Sequence, residues 1–92
     1  MLIQVTQKHI DDGKRGMCRS CPVALAMNDA IAPLHANMVI THASIYDEHE
    51  VHVCNVTVSL EVTNFIDDFD KGSPVSPISF ELPIDHLCGV KL

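Results

Sequence analysis

Hydrophobic and polar positions change their spacing several times along this chain, and each change marks a predicted element. Residues 2–5 are rich in β-forming side chains and predict a first strand that ends at Thr6. Because Thr is a good N-cap residue, we expect a short helix over residues 7–12, and Gly13 suits the left-handed position that commonly ends a helix. Residues 14–20 contain Gly16 and three cations and predict a loop.

A mostly apolar stretch follows and predicts a second helix. Ser20 can cap this helix, and Pro22 suits its first turn, where the missing N–H group costs nothing. Residues 23–31 continue the helix until Pro33 ends it. Its alanine residues allow another element to approach closely, so we expect this helix to pack across a sheet.

β-branched residues dominate the next part of the chain. Residues 38–46 and 51–62 predict two strands, and the polar residues 47–50 between them predict a hairpin connection. Every second side chain of the later run belongs to one face, which is typical of a half-buried antiparallel strand. That face would consist of His52, Cys54, Val56, Val58, Leu60 and Val62.

Two further elements complete the predicted fold. Thr63 can cap a short helix that ends at Gly72 and has one apolar side, formed by Phe65, Ile66 and Phe69. Residues 78–82 alternate between apolar and polar and predict a last strand. The sequence therefore predicts one compact α+β domain over residues 1–92, a small mostly antiparallel β-sheet with two or three short helices packed on one face.

The composition narrows the possible functions. The chain has 92 residues, of which 47% are hydrophobic, and this share argues against disorder. Twelve acidic residues against six basic ones give a net charge of −6, which argues against general binding of free DNA or RNA, because neutralising phosphates requires cations. No apolar run approaches the ~18 residues that span a bilayer, so we expect a cytoplasmic protein that does not bind membranes.

The charge is distributed unevenly along the chain. Residues 1–21 contain four cations and two acids and are weakly basic, whereas residues 22–92 contain two cations and ten acids. A surface polarised in this way can dock on a basic partner with one face while its cations contact phosphate, although chance alone also produces uneven charge in small domains. The predicted partner-binding residues are Lys14, Arg15, Arg19, Asp47, Glu48 and Glu50.

The Cys18-Arg19-Ser20-Cys21 segment at the start of the second helix has three interpretations. A redox dithiol is favoured by the helix N-terminus, which lowers a thiol pKa. A zinc site is favoured by the Cys-x-x-Cys spacing, with His86 and Cys88 as the remaining ligands and His9 as an alternative third ligand. In the third interpretation, the cysteines are small buried core residues with no chemical role.

The remaining polar residues give no catalytic pattern. His42, His49 and His52 flank the predicted hairpin; they could form a pH-sensitive edge or bind a transition metal, but we interpret them as scattered surface histidines. The acidic run around Asp67 lacks the alternating oxygens of a calcium loop and predicts a solvated helix face. The sequence contains no nucleophile elbow or phosphate-binding glycine loop, and it has no Trp and one Tyr, so we expect no enzyme and no cofactor other than zinc.

Several segments resemble short phage and prophage proteins that share a CxxCPVALA motif. The resemblance covers residues 5–13 (VTQKHIDDG), 18–26 (CRSCPVALA), 65–72 (FIDDFDKG) and 77–82 (PISFEL). In length and style the chain is similar to anti-CRISPR proteins directed at type I surveillance complexes. The resemblance implies a protein from a mobile element that blocks host defence by binding.

Charge and resemblance together predict a non-enzymatic phage-encoded inhibitor. It would bind a CRISPR-type ribonucleoprotein complex and block recognition of the target nucleic acid, with Lys14, Arg15 and Arg19 close to the guide RNA. One alternative is a zinc-binding or thiol-redox module that uses Cys18 and Cys21, and another is a phage protein that sequesters a nucleotide signal. A homodimer through an exposed strand edge is also compatible with a sheet of about four strands.

Overall fold

The computed structural model describes residues 1–39 and 42–82, together with the backbone of residues 86–87 and 90–91. The predicted small α+β fold is confirmed, and the elements follow one another in the order β1 (Leu2–Val5), α1 (Gln7–Asp12), α2 (Pro22–Ile31), β2 (His35–Met38), β3 (His42–Tyr46), β4 (His52–Thr57), α3 (Leu60–Asp70), β5 (Ile78–Glu81), β6 (His86–Leu87) and β7 (Val90–Lys91). Within these described ranges, no helix has the length and apolar character needed to cross a membrane.

Among the described residues, the strands pair antiparallel in three separate small sheets. β1 pairs with β5, β2–β3–β4 form a three-stranded meander, and β6 pairs with β7. The ladder between β1 and β5 continues past the strands, because Met1 and Leu82 exchange two backbone hydrogen bonds of 2.7 and 2.8 Å. In the described part of the chain β2 and β4 are the outer strands of the meander, and the homodimer through a strand edge stays a prediction.

α1 begins as the sequence predicts, but it ends differently. The Thr6 hydroxyl accepts from the His9 backbone N–H, and the His9 ring accepts from the Thr6 backbone N–H, which forms a capping box. Gly13 follows the helix with φ −68° and ψ 152°, so it is extended and not left-handed as predicted. A Cβ at Gly13 would lie 2.6 Å from Pro22 Cδ, so glycine is needed here for close contact with α2.

α2 is the central element of the core. Its N-cap is Cys21, whose sulfur accepts a hydrogen bond from the backbone N–H of Ala24 at 3.5 Å, so the prediction of Ser20 as the cap is wrong. The residues that α2 buries lie on several sides of the helix: Pro22, Val23, Ala24, Ala26, Met27 and Ile31. The helix contacts α1, β1, β2 and α3, and the Asn28 side chain accepts the backbone N–H of Ala36 in β2.

The sequence did not reveal β2 as a strand. Residues 35–38 contain His, Ala and Asn, which are not strong β-formers, and the predicted strand began only at Met38. Pairing with β3 makes this segment a strand. The register runs from His35 opposite Tyr46 to Met38 opposite Ala43. Burial of Ala36 and Met38 against α2 then fixes which face turns inward.

The boundary between β4 and α3 also differs from the prediction. β4 ends at Thr57, not at Val62, and α3 begins at Leu60, with Ser59 rather than Thr63 as the N-cap. Buried positions change here from a period of two to helical spacing, with Val62, Phe65 and Phe69 facing inward. Leu60 fits the strand pattern in sequence, yet it is 73% exposed because it lies in the first helical turn.

Truncation of the α2 core should show how strongly the fold depends on it. Met27 is fully buried, so Met27→Ala leaves a cavity and should lower the free energy of unfolding by about 2–5 kcal/mol. The matched control is Leu60→Ala, at a helical position that is exposed, with an expected change within about 0.5 kcal/mol. Urea denaturation followed by circular dichroism measures both, and equal effects would contradict the central role of α2.

Candidate functional site

The loop between α1 and α2, residues 14–20, is called the basic loop, and its backbone is closed on itself. The N–H of Lys14 donates to the carbonyl of Ser20 at 2.9 Å, and the N–H of Ser20 donates to the carbonyl of Met17 at 2.9 Å. Two bonds across so few residues restrict the loop to one compact shape. Its three cations are therefore displayed from a defined backbone.

Two further hydrogen bonds anchor the basic loop to the rest of the fold. The Cys18 carbonyl accepts from the Met38 N–H at 2.8 Å, which joins the loop to the end of β2. The Gly16 N–H donates to Asp70 Oδ1 at 3.0 Å, which joins the loop to the last turn of α3. The basic loop thus lies between β2 and the C-terminal end of α3.

The three cations of the basic loop have different surroundings. Lys14 is exposed. The Arg15 guanidinium lies against Gly72, which follows α3. The contact is close, because a Cβ atom added to Gly72 would lie only 3.3 Å from Arg15 Cζ. Arg19 pairs with Glu50 in the hairpin, with 2.7 Å between Nη1 and Oε2. The predicted basic site is therefore not one patch, and one of its cations is bound to a residue of the predicted acidic site.

Arg19 belongs to what we call the Tyr46 cluster, which consists of Arg19, His35, Tyr46, Glu50 and His52. The Arg19 Cζ lies 5.1 Å from the centre of the Tyr46 ring. His35 stacks on the same ring with centroids 5.7 Å apart, and His52 meets it edge-on at 5.4 Å. His35 Nε2 lies 3.2 Å from Glu50 Oε1, so Glu50 joins two of the cluster's nitrogen-containing side chains. The cluster connects the basic loop to the meander.

The acidic residues of the hairpin turn, Asp47, Glu48 and Glu50, mostly contact other residues of the protein. Asp47 Oδ1 accepts from the N–H groups of His49 at 2.8 Å and Val51 at 3.0 Å, and these bonds, the one from Val51 foremost, lower the pKa of Asp47. Glu50 has a left-handed φ of +63°. Glu48 is exposed, as is Glu50, and the Glu48 carboxylate is 3.9 Å from His49. Of the three predicted acidic residues, Asp47 and Glu50 are therefore hydrogen-bonded within the fold, and Glu48 has only the longer contact with His49 among the described residues.

The two cysteines of the Cys-x-x-Cys segment differ in environment. Cys18 is exposed, whereas Cys21 is 2% exposed, and both are free thiols. Burial raises the pKa of Cys21 above its ordinary 9.0 and outweighs the lowering by the backbone N–H groups of Ala24 and Val23. The redox interpretation expected a low thiol pKa at this helix N-terminus, and the desolvation of Cys21 gives the opposite direction.

The zinc interpretation depends on residues at the end of the chain. Cys88 and the side chain of His86 lie outside the described residues, and among those that are described, no three potential ligands are grouped so that they could hold a metal ion. His9, the alternative ligand, uses Nδ1 in the α1 capping box and places Nε2 2.6 Å from Asp29. Cys54 is disulfide-bonded. Zinc binding by Cys18 and Cys21 stays a prediction.

The outer surface of α3 is a feature that the sequence indicated only in part. We call its exposed residues Glu61, Asn64, Asp67 and Asp68 the α3 ridge. The predicted solvated face is confirmed, since every aspartate of this helix is exposed. Asp67 pairs with Lys71 at 2.8 Å, while Glu61 and Asp68 form no ion pair within the described residues.

A cleft runs along each side of the α3 ridge. The α3–loop cleft, of about 620 Å³, separates α3 from the basic loop and the ends of β2 and β3. The α3–β5 cleft, of about 540 Å³, separates α3 from the segment that leads into β5. Asn64 lines both clefts, so the α3 ridge separates the α3–loop cleft from the α3–β5 cleft. The sequence pattern showed neither, because each is formed by segments distant in the chain.

The histidines that flank the hairpin lie in different surroundings. His42 lines the α3–loop cleft, His52 belongs to the Tyr46 cluster, and the side chain of His49 is 80% exposed. His52 Nε2 also lies 2.9 Å from the side-chain oxygen of Asn55. These separate placements agree with the interpretation of dispersed histidines near the surface.

Comparison with known proteins gives no information on function, so a functional inference must start from the geometry of the structure. No protein-family model matches this chain, and no match was found among curated proteins or among solved structures. The resemblance to phage proteins and to anti-CRISPR proteins therefore stays a prediction. The features available for a functional inference are the basic loop, the α3 ridge and the two clefts beside it.

Alkylation should separate the two cysteines of the Cys-x-x-Cys segment. Cys18 is exposed and Cys21 is buried with a raised pKa, so N-ethylmaleimide should label Cys18 in the native protein and Cys21 only after unfolding in urea. Peptide mass spectrometry of native and urea-treated samples measures this. If both cysteines were protected in the native state and the protein contained one equivalent of zinc, the zinc interpretation would be correct instead.

The Arg19–Glu50 pair should be visible in the titration of Glu50. The hydrogen bond from Arg19 holds the pKa of Glu50 below its ordinary 4.5, so Arg19→Gln should raise that pKa toward 4.5. Carbon-detected NMR of the Glu50 carboxyl measures the change. Lys8→Gln removes a cation that pairs with Asp12 and serves as the control, which should leave Glu50 unchanged.

The Arg19–Glu50 pair should make the stability of the fold depend on pH in a defined direction. A depressed carboxyl pKa in the folded state means that the pair stabilises the fold above the ordinary pKa. The stability difference between the original protein and Arg19→Gln should therefore be full above pH 4.5 and disappear as the pH falls through the depressed pKa. Urea midpoints at several pH values test this, and a difference that grows on acidification would contradict it.

Proposed function

We propose that this protein is a non-enzymatic inhibitor that binds a CRISPR-type ribonucleoprotein complex of the host and blocks recognition of the target nucleic acid. We further propose that it binds through the α3 ridge. The observation that carries the proposal is this acidic ridge with a cleft on each side. A partner protein could contact the negative charge of the ridge and place side chains in the clefts.

Electrostatics support a basic partner surface. Residues 22–92 contain ten acids and two cations, and Glu61 and Asp68 of the ridge form no ion pair among the described residues. Proteins that bind nucleic acid present clustered cations to neutralise phosphates. An acidic ridge is complementary to such a surface, and a protein bound there would exclude the nucleic acid from it.

The size of the α3 surface also supports binding to a protein. The 11 residues of α3 span about 16 Å at 1.5 Å per residue. A standard interface buries about 800 Å² on each partner, and the accessible surface of the chain is 5324 Å². The ridge and its two clefts adjoin along α3, so contacts there would form part of an interface of this size.

The basic loop has a narrower role in this proposal than the sequence predicted. Arg15 lies against Gly72, and Arg19 is bound by Glu50, so contact with guide RNA would compete with these internal partners. Lys14 is exposed and lines a third cleft, of about 370 Å³, between α1 and α2. Among the three predicted cations, Lys14 is therefore the one best placed for a phosphate contact.

Charge reversal on the ridge tests the proposed function. Purified type I surveillance complexes are incubated with the protein, and their affinity for target DNA is measured by electrophoretic mobility shift. The original protein should abolish DNA binding by at least one complex. The double variant Glu61→Lys, Asp68→Lys should lose about 10-fold or more in inhibitory potency, because it places two cations against a basic surface.

The matched control is the double variant Asp11→Lys, Glu81→Lys, which changes the net charge equally at exposed positions outside the α3 ridge and its two clefts. Its potency should stay within about 3-fold of the original, a difference of about 0.7 kcal/mol. Equal loss in both variants would overturn the assignment to the α3 ridge. Absence of any effect on the whole panel of complexes would overturn the proposed function itself.

A further inference from the structure

The α3–loop cleft combines an apolar floor with an acidic edge. Met38, Val39 and Ile66 contribute the apolar lining, and Asp67 and Asp70 of α3 contribute carboxylates. Its volume of about 620 Å³ lies within the ~300–1,000 Å³ range of pockets that bind small ligands. A ligand that fits this lining has a hydrocarbon portion and a positive charge at its end.

The spacing of the two carboxylates favours a guanidinium over an ammonium. Asp67 and Asp70 are three residues apart on one helix, which places their Cβ atoms about 5–6 Å apart. A guanidinium has five N–H donors in one plane and can donate to two carboxylates at once, whereas an ammonium is a compact point charge. The methylene groups of an arginine would lie along the apolar floor.

Both carboxylates already bind donors within the chain. Asp67 Oδ2 pairs with Lys71 Nζ at 2.8 Å, and this hydrogen bond raises the pKa of Lys71. The Lys71 side chain is 65% exposed, so a partner can displace it at little cost. Asp70 Oδ1 accepts from Gly16 N–H, which orients the carboxylate, and its Oδ2 forms no hydrogen bond within the described residues.

The C-terminal end of α3 already has a guanidinium beside it. Arg15 lies against Gly72, two residues after Asp70. The last carbonyl groups of a helix carry partial negative charge and favour cations. Together with the aspartates, they make this end of α3 complementary to a second guanidinium presented from outside.

We propose that the α3–loop cleft is the anchor pocket for an arginine side chain of the partner protein. This inference rests on the proposed function and adds the chemistry of the contact. Arginine is enriched among the few residues that contribute most of the free energy of protein association, and such residues occupy pockets. The ridge then supplies the surrounding acidic surface, and the cleft supplies the specific contact.

A peptide titration tests the inference without any host complex. The ¹⁵N-labelled protein is titrated with the peptide acetyl-Leu-Arg-Leu-amide, and amide shifts of Thr63 and Ile66 in the cleft wall are followed. We expect saturable shifts with a Kd of about 1 mM, because a tripeptide with one anchoring side chain makes few contacts. The neutral isostere with citrulline in place of arginine should bind about 10-fold more weakly, and the lysine peptide should bind more weakly than the arginine peptide.

A charge-neutral variant identifies the carboxylate responsible. Asp70→Asn keeps a side-chain oxygen for the Gly16 N–H and removes the charge, so it should lower the affinity for the arginine peptide about 10-fold. The control Asp11→Asn makes the same chemical change on α1, away from the cleft, and should leave the affinity unchanged. Spectra of the free variants establish that each is folded.

The outcomes separate the inference from the proposed function. Equal binding of the arginine and citrulline peptides, or equal loss in both variants, would overturn the anchor pocket. If the peptide fails to bind while the protein still inhibits a surveillance complex, the pocket is wrong and the proposed function stands. If the peptide binds as expected and no complex is inhibited, the pocket stands as a general arginine site and the proposed function is wrong.

Discussion

Burial of α2 is the constraint on which the rest of the structure depends. In the part of the chain that the structure describes, the β1–β5 pair and the β2–β3–β4 meander share no strand pairing, and α2 contacts strands of both. Its side chains Val23, Met27 and Ile31 are essentially inaccessible to solvent, so the helix is covered by the elements around it. Hydrophobic burial on several sides of one helix therefore unites two small sheets that would each be marginal alone.

The start of α2 also determines where the candidate site forms. Gly13 allows Pro22 to approach α1 closely, and Cys21 caps the helix from within the core. The basic loop between these two points must then be compact, and hydrogen bonds join it to β2 and to Asp70 of α3. The α3–loop cleft is the space left between these fixed elements, so its shape follows from packing that begins at α2.

Ion pairs and hydrogen bonds within the protein change which charged residues can contact a partner. The sequence correctly separates a weakly basic start from an acidic remainder, but Arg19 and Glu50, assigned to opposite binding surfaces, bind each other across the fold. Asp47 is occupied by backbone N–H groups of its own turn. The acids of α3 remain at the surface because the opposite side of that helix is buried. The proposed binding face therefore moves from the hairpin to α3.

Local signals determined much of this protein from sequence alone. The Thr6 cap, Pro22 at the first turn of α2, and the alternation that places Phe80 inward all act over a few residues, where backbone sterics and hydrophobic spacing suffice. Tertiary structure alone decided β2, whose weak β-formers pair with β3, and the change to helix at Leu60. It also decided the Tyr46 cluster and the clefts beside α3, because these arise where distant segments meet and their interaction energies have no counterpart in local sequence.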